Sequence, residues 1–580
     1  MTESKKSRFS RLIRPLAAQV RDGRVSATNL VGTVLAGLCD KAYAGLPASG
    51  LPVSRKLAKT REVQALVVGL AAEPFLDATY WLSTAYALCA GDAYRKSLAM
   101  FFTPPSLTSR LLDDLTASGV RFDEGSFCDP ACGGAAFLAP IALRMKEELR
   151  AKGMPARRVL EHISKNLFGA DMDETLCELS KHFLLMALRD EVVASNGWAP
   201  KLHIDVGDSL SALQPVYGTF DVIVCNSPFR KMSAHEVAPY RHLFDDVIEA
   251  QPNLYGLFMA LSVKLLKDTG VAALVTPTSY LSGRYFRKVR TFLLKHVDVL
   301  NVGMVSDRQG VFMDVEQETA LTLVRKRPET AGAPMRANVS VVATDGQYTD
   351  VGSCVLPNSG CTWPIPRAEG DAALLEAAQH GQATIANYGY RVRVGSFVWN
   401  RDARPVYRCH REVRKSKTTT ALPLLWSSDI RVDGSLAFDA NPKGSDEHRF
   451  VDLGTTSHAC VVRKPSVLLQ RVTSNDQPRR LVAAAVPATL LAEFGGYVGE
   501  NHTVILEQRD DAPALTPAQM AQLLATPTVD RYFRCISGAT NVSAFELGQL
   551  ALPQPSKLKE LLARGHSMED AARAAFFNGV

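Results

Sequence analysis

The 580 residues are too many for one hydrophobic core, so two to four domains are expected. A hydrophobic fraction of 46% and a charged fraction of 22% are ordinary for a globular protein, and no run approaches the roughly 18 apolar residues of a membrane span. The net charge of +7 is modest, the basic N-terminus shows no apolar export signal, and the eleven cysteines include no C-x-x-C pair, which points to reduced thiols and a cytoplasmic protein with no membrane partner.

Residues 1 to 95 read as a helical segment without a chemical motif, carried by stretches such as LVGTVLAGLCDKAYAGL and DATYWLSTAYALCAG. From 96 to 330, short apolar runs alternate with helix-length amphipathic ones: SFCDP, NLFGADM, KLHIDVGD, FDVIVCN, GVAALVTP and ALTLVRK. That alternation predicts an α/β fold, a doubly wound and mostly parallel sheet with helices on both faces. A connecting region at 331–385 leads to a mixed α+β domain at 386–580, closed by helices within LKELLARGHSMEDAARAAFFN. Between Arg391 and Lys417, nine Lys/Arg stand against two acids and are interleaved with Phe397, Trp399 and Tyr407. Such a stretch is either a solvated loop surface or a face that contacts phosphates.

Within the α/β region, SFCDPACGGAAFLAPIAL is a strand, a glycine-bearing turn and a helix. Small residues there let the backbone close on a ligand at a helix N-terminus. Any βα turn can carry glycines, but two later strands also end in carboxylates. Asp171 stands where nucleoside-binding folds receive ribose hydroxyls, and Asp208 where an adenine amine could be received; both positions also suit a helix N-cap. The run DVIVCNSPF places Asn226 at the end of a fourth buried strand, again where open α/β sheets put ligands.

The order D-P-x-C-G-x-x-x-F-L, then N-x-P-F about a hundred residues later, resembles the S-adenosylmethionine-dependent DNA methyltransferases that modify the exocyclic amine of adenine. The arrangement is similar to their gamma class, with the cofactor motif first, the catalytic loop second and the target-recognition domain last. The resemblance covers roughly residues 96 to 555. It implies a class I methyltransferase fold and S-adenosylmethionine as cofactor. In FFTPPSL it places Thr103 at the methionine end, with Asp129, Ala131, Cys132 and Gly133; Asp171 would hold the ribose, Asp208 the adenine, and Asn226 would border the bound cofactor.

The exocyclic amine is a poor nucleophile because its lone pair is delocalised, and acceptors placed on its N–H bonds favour the tetrahedral amine of the transition state. By the same resemblance, Asn226 offers its side-chain carbonyl, Ser227 its main-chain oxygen, Pro228 shapes the loop, and Phe229 stacks on the extruded base, with Phe312 as a second platform; Phe312 also reads as an ordinary core residue. Two letters depart from the family pattern. Ser227 replaces a proline but keeps a carbonyl oxygen, and Ala135 replaces a glycine beside the cofactor. NSPF therefore reads as a working, less rigid loop. Tyr255 is a further candidate for the cofactor pocket.

In the C-terminal half, LPLLWSSDI, KPSVLLQRVTSNDQPRRL and GENHTVIL resemble the recognition region of these enzymes. Arg391, Arg393, Lys415, Gln470, Arg471, Thr473, Asn501 and His502 are the candidate DNA contacts. The expected function is methyl transfer to N6 of a flipped adenine in double-stranded DNA. The alternatives are the modification subunit of a multi-subunit restriction system and a DNA-binding pseudo-methyltransferase. A second copy of the chain and a cognate restriction endonuclease are the further partners this reading allows, with the protein associated with the nucleoid through DNA.

Overall fold

A computed structural model describes residues 4–305, 318–328, 335–357, 359–379, 383–442, 448–454, 458–473, 477–537 and 541–577. The chain divides into two compact units. One is built on residues up to Tyr280 and on Tyr285–Asp350, the other on Leu281–Arg284, Val351–Pro357 and the residues from Cys361 on.

The first unit opens with helices Lys5–Arg21, Ala27–Ala42, Arg61–Ala71 and Phe75–Ala90. Ser4 and Ser26 cap the first two by accepting from the backbone N–H of Ser7 (3.2 Å) and Asn29 (3.1 Å), which satisfies amides that a helix start leaves open. Their apolar stripes do not form a separate core. Phe9 stacks on Trp81 at 4.7 Å between ring centres, and the buried cluster runs without a break from Phe9 through Leu82 and Phe183 to Val224 and Val342. The boundary expected near residue 95 is therefore not a domain boundary: the helical segment buries its faces against the α/β core.

The sheet comprises β1 (Phe127–Asp129), β2 (Leu167–Asp171), β3 (His203–Val206), β4 (Phe220–Asn226), β5 (Leu266–Pro277), β6 (Val297–Val305), β7 (Thr319–Lys326), β8 (Arg336–Val342) and β9 (Tyr348–Val355), in the order β3-β2-β1-β4-β5-β7-β6-β8-β9. Strands β1 to β5 are parallel to one another, as expected for runs buried on both faces. The parallel reading fails at ALTLVRK. This run is β7, which inserts antiparallel between β5 and β6, and the segment VDVLNVGMV, not predicted as a strand, is β6. The chain leaves β1 toward β2 and β3, then returns to β4 on the other side of β1. That reversal is the switch point at which doubly wound sheets bind ligands, and Asp129, Asp171 and Asn226 end three of the strands beside it.

The second unit contains an antiparallel sheet of Tyr390–Val394, Thr503–Gln508, Ser466–Gln470 and Ala483–Ala485, and a smaller sheet of Val406–Tyr407, Phe450–Asp452, Ala421–Leu425 and Val498–Gly499. The expected closing helices are Pro555–Ala563 and Met568–Phe577, separated at Gly565, whose φ of +87° suits a residue without a Cβ. Among the described residues no helix is long and apolar enough to cross a membrane.

Candidate active site and nucleic-acid interface

The turn after β1 is held almost wholly by main-chain amides. Ala131 N–H donates to the Asp129 carboxylate (3.0 Å), Cys132 N–H to the Ala170 carbonyl (3.0 Å), and Gly133 N–H to Asp171 (2.9 Å). Gly133 has φ of +48° and Ala135 of +56°, so the alanine occupies a left-handed conformation that a glycine adopts without strain. Gly134 is required for a different reason. A Cβ there would lie 1.9 Å from Ser83 Oγ and 2.7 Å from Ser83 Cβ, so helix Phe75–Ala90 fills the space a side chain would need. The same region holds the next strand end: Tyr86 and Tyr94 donate to Asp173 (2.8 and 2.9 Å), and Asp173 caps helix Glu174–Ala187 through the N–H of Leu176. The N-terminal helices, given no task by their sequence, thus brace the turn.

Thr103, Asp129, Ala131, Cys132, Gly133, Asp171, Asp208 and Asn226 all line one cavity of about 360 Å³, which they share with Pro228. Phe101, Phe102, Met172, Tyr240 and Phe258 also line it and were not singled out beforehand. Its polar groups are poised for a ligand. The Thr103 hydroxyl is buried and has no hydrogen-bond partner among the described residues, a deficit that a bound polar group would relieve. Burial pushes the Asp129 carboxyl up to about 8, with the Asp171 charge adding to the effect, and burial pushes Asp171 up to about 6. Asp208 does both things its position allowed: it caps Ser209–Ala212 through Leu210 N–H (3.2 Å) and borders the cavity. Tyr240 is pushed up to about 12 by burial and by the Asp208 charge.

The Asn226 side chain has a fixed sense. Its Nδ2 donates to the Phe101 carbonyl at 2.7 Å, which leaves Oδ1 as an acceptor. Ser227 is buried, 2% exposed, and is not among the residues lining the cavity; its N–H reaches the Val275 carbonyl at 3.4 Å. Proline has no such donor, so the serine ties the loop to β5 by one hydrogen bond where the family residue would stiffen it through its ring. Phe229 is half-buried and meets Tyr255 edge to face (6.3 Å, 79°), and Tyr255 stacks on Phe286 at 4.8 Å. Tyr255 is fully buried, its hydroxyl 2.7 Å from Ser279 Oγ, and it supports the loop rather than lining the cavity; Leu254 and Phe258 of its helix do that. Phe312 lies outside the described residues.

In the second unit, the candidate DNA contacts separate into occupied and open groups. Arg391 and Arg393 both pair with the buried Glu507 (2.6 and 2.7 Å). Gln470 gives its amide to the carbonyls of Ser427 and Ile430. Thr473 is a correction: it is 2% exposed, its hydroxyl donates to the Arg480 carbonyl and accepts from Arg480 Nε, and it has no surface to offer DNA. Arg471, Asn501 and His502 come together, with Arg471 donating to the Asn501 carbonyl (2.8 Å), Asn501 N–H to Phe397, and His502 beside Glu500 (2.9 Å). Lys415 is exposed. It belongs with Arg401, Arg408, Arg411, Arg414 and Lys417, none of which pairs with a carboxylate among the described residues. The spacing of basic residues could not distinguish these cations from Arg391 and Arg393, because the partner of the latter, Glu507, is over a hundred residues away.

Residues 82–352 match the family described as N-6 DNA methylase. This stretch, just under half of the chain, is similar to that family. Its sheet and flanking helices form the class I methyltransferase fold, and the cavity lies within it. The type II methyltransferase M.BsuBI of Bacillus subtilis is 23% identical over 350 residues, covering 58% of this chain and 65% of the relative. M.PstI of Providencia stuartii is 22% identical over 351 residues, covering 59% and 66%. The matches thus span just under two thirds of those relatives' lengths. Among solved structures, the type IIL restriction-modification enzyme MmeI in complex with DNA aligns with 100% of this chain and 93% of its own, with a TM-score of 0.55 at 13% identity, a likeness of fold.

Proposed function

We propose that the protein transfers a methyl group from S-adenosylmethionine to N6 of adenine in double-stranded DNA, as a methyltransferase of restriction-modification type. The observation that carries this reading is the Asn226 amide, fixed by Phe101 with its oxygen left as an acceptor, on the wall of the cavity that Asp129 and Asp171 also line.

The donor set fits the cofactor. Two carboxylates suit ribose hydroxyls and an ammonium group, the unpartnered Thr103 hydroxyl and the turn around Gly133 suit a carboxylate, and the apolar wall of Phe102, Met172 and Phe258 suits an adenine face. When bound, S-adenosylmethionine supplies an electrophilic methyl on sulfur. Asn226 Oδ1 and the main-chain oxygen of Ser227 accept from the two N–H bonds of the target amine, hold it as a tetrahedral nucleophile, and stabilise the positive charge that grows on nitrogen. Neither is a strong base, so the surplus proton leaves from an amine that is already strongly acidic once alkylated. Phe229, braced by Tyr255, presents a ring edge and face for the extruded base, whose removal from the duplex costs a few kcal/mol of stacking and pairing.

The second unit supports recognition within the same chain rather than by a separate specificity subunit, since in a compact fold of its own it displays cations that pair with no carboxylate among the described residues. The test is transfer of labelled methyl to unmethylated genomic DNA, with nucleoside analysis of the product and Asn226→Ala as control. N6-methyladenine that disappears in the variant supports the reading. Cofactor binding without transfer to any DNA refutes it in favour of a pseudo-methyltransferase.

A further inference from the structure

Trp399 is the largest exposed apolar side chain among the described residues, at 47% exposure, and nothing in the catalytic reading uses it. It sits in a tight turn closed by the N–H groups of Arg401 and Asp402, both donating to the Val398 carbonyl (3.0 and 2.9 Å). The turn is locked from outside by Arg404, whose fork grips the Asp402 carboxylate (2.8 and 2.5 Å) and reaches Cys460. The indole is backed by His448 (4.6 Å), Trp426 (6.0 Å) and Phe397 (6.4 Å), and Trp426 is itself held by its Nε1–H on the His448 carbonyl (2.7 Å). A large ring is thus held rigid and half bare. Such an arrangement loses little conformational entropy when a planar partner arrives.

The surroundings say which planar partner. Arg401 follows two residues later, exposed and without an ion-pair partner among the described residues, and Arg408, also exposed, lies near His448, whose proton affinity is lowered by burial first and then by the Arg408 charge. An aromatic face beside free guanidinium groups matches a polymer of bases and phosphates. Resting on the methyltransferase reading, we infer that Trp399 stacks on an unstacked base of bound DNA, while Arg401 and Arg408 take flanking phosphates.

The experiment measures binding of the full-length protein to duplex oligonucleotides and to oligothymidylate as a function of salt. Trp399→Ala lowers affinity for both at least about fivefold, the lower end for base–aromatic stacking, and leaves the slope of log affinity against log salt unchanged. Trp399→Phe keeps most of the affinity. The double variant Arg401→Ala, Arg408→Ala reduces the duplex slope by about 1.8. Equal affinity of wild type and Trp399→Ala overturns the inference, as does a loss by Trp399→Phe equal to that of Trp399→Ala, which would mark a packing role. Methyl transfer by the wild type separates the two levels: transfer with an unaffected Trp399→Ala sinks only this inference, and a wild type that neither binds nor methylates DNA sinks both.

Discussion

Gly134 and Ser83 make a sharp test of the claim that the N-terminal helices brace the turn after β1, proposed to hold the cofactor. Gly134→Ala puts a methyl carbon 1.9 Å from Ser83 Oγ and 2.7 Å from Ser83 Cβ, well inside van der Waals contact. The serine cannot swing away cheaply, because it is buried in a helix and its hydroxyl is bonded to the Thr79 carbonyl at 2.9 Å. Turn or helix must therefore move by about an ångström, and overpacking of this kind costs about 1–3 kcal/mol. Ser83→Gly removes both clashing atoms. Alone it costs about 1 kcal/mol for a glycine inside a helix, yet combined with Gly134→Ala it restores stability, and the next atom the new methyl meets is Phe183 Cε2 at an ordinary 3.7 Å. Urea unfolding of the four proteins, followed by a probe in the first unit, gives a coupling energy of about 1–3 kcal/mol in favour of the double variant. Calorimetric titration with S-adenosylmethionine shows weakened binding for Gly134→Ala and recovery in the pair. A Gly134→Ala protein as stable as wild type, or a double variant that merely sums the two losses, would refute the packing argument.

Asn226→Ala removes the acceptor but no cofactor contact of comparable weight, so turnover falls about 100- to 1,000-fold while cofactor affinity changes only a few-fold, measured by single-turnover transfer and titration. Asp171, raised to about 6, is protonated below that pH and cannot then accept fully from ribose; cofactor affinity falls as pH drops from 7 through 6, and an affinity flat over that range would contradict its role. Asp129, raised to about 8, is mostly protonated at pH 7 without cofactor, and an ammonium group beside it draws the proton out, so binding releases protons, seen as heats that differ between buffers. Its folded-state value lies above the unfolded one, hence the folded protein binds the extra proton and this residue's cost grows from pH 4 to 8. Asp129→Asn therefore stabilises the cofactor-free protein more at pH 8 than at pH 5, read from thermal midpoints. Thr473→Val withdraws an acceptor from Arg480 Nε and destabilises the second unit by about 1–3 kcal/mol; a change in DNA sequence preference at unchanged stability would reverse the assignment of Thr473 to the interior.

The alternation of buried runs and amphipathic helices determined by itself that the middle of the chain is a doubly wound sheet, because each run is short and local and a parallel strand covered on both faces tolerates little else. The proposed site residues were brought together for a similar reason: Asp129, Asp171 and Asn226 each end a strand and Asp208 comes two residues after one, so connectivity alone carries them to one edge of the sheet. Only the tertiary structure decided what depends on residues far apart in sequence. The antiparallel insertion of β7, the Phe101 carbonyl that orients Asn226 across 125 positions, and the Val275 carbonyl that receives Ser227 all arise from contacts with no local period. The same holds for the cations of the second unit. Arg391 and Arg393 look like DNA contacts until Glu507 pairs beside them, whereas the guanidinium groups of Arg401 and Arg408 pair with no carboxylate among the described residues; composition sets how many charges there are, and only packing determines which are neutralised.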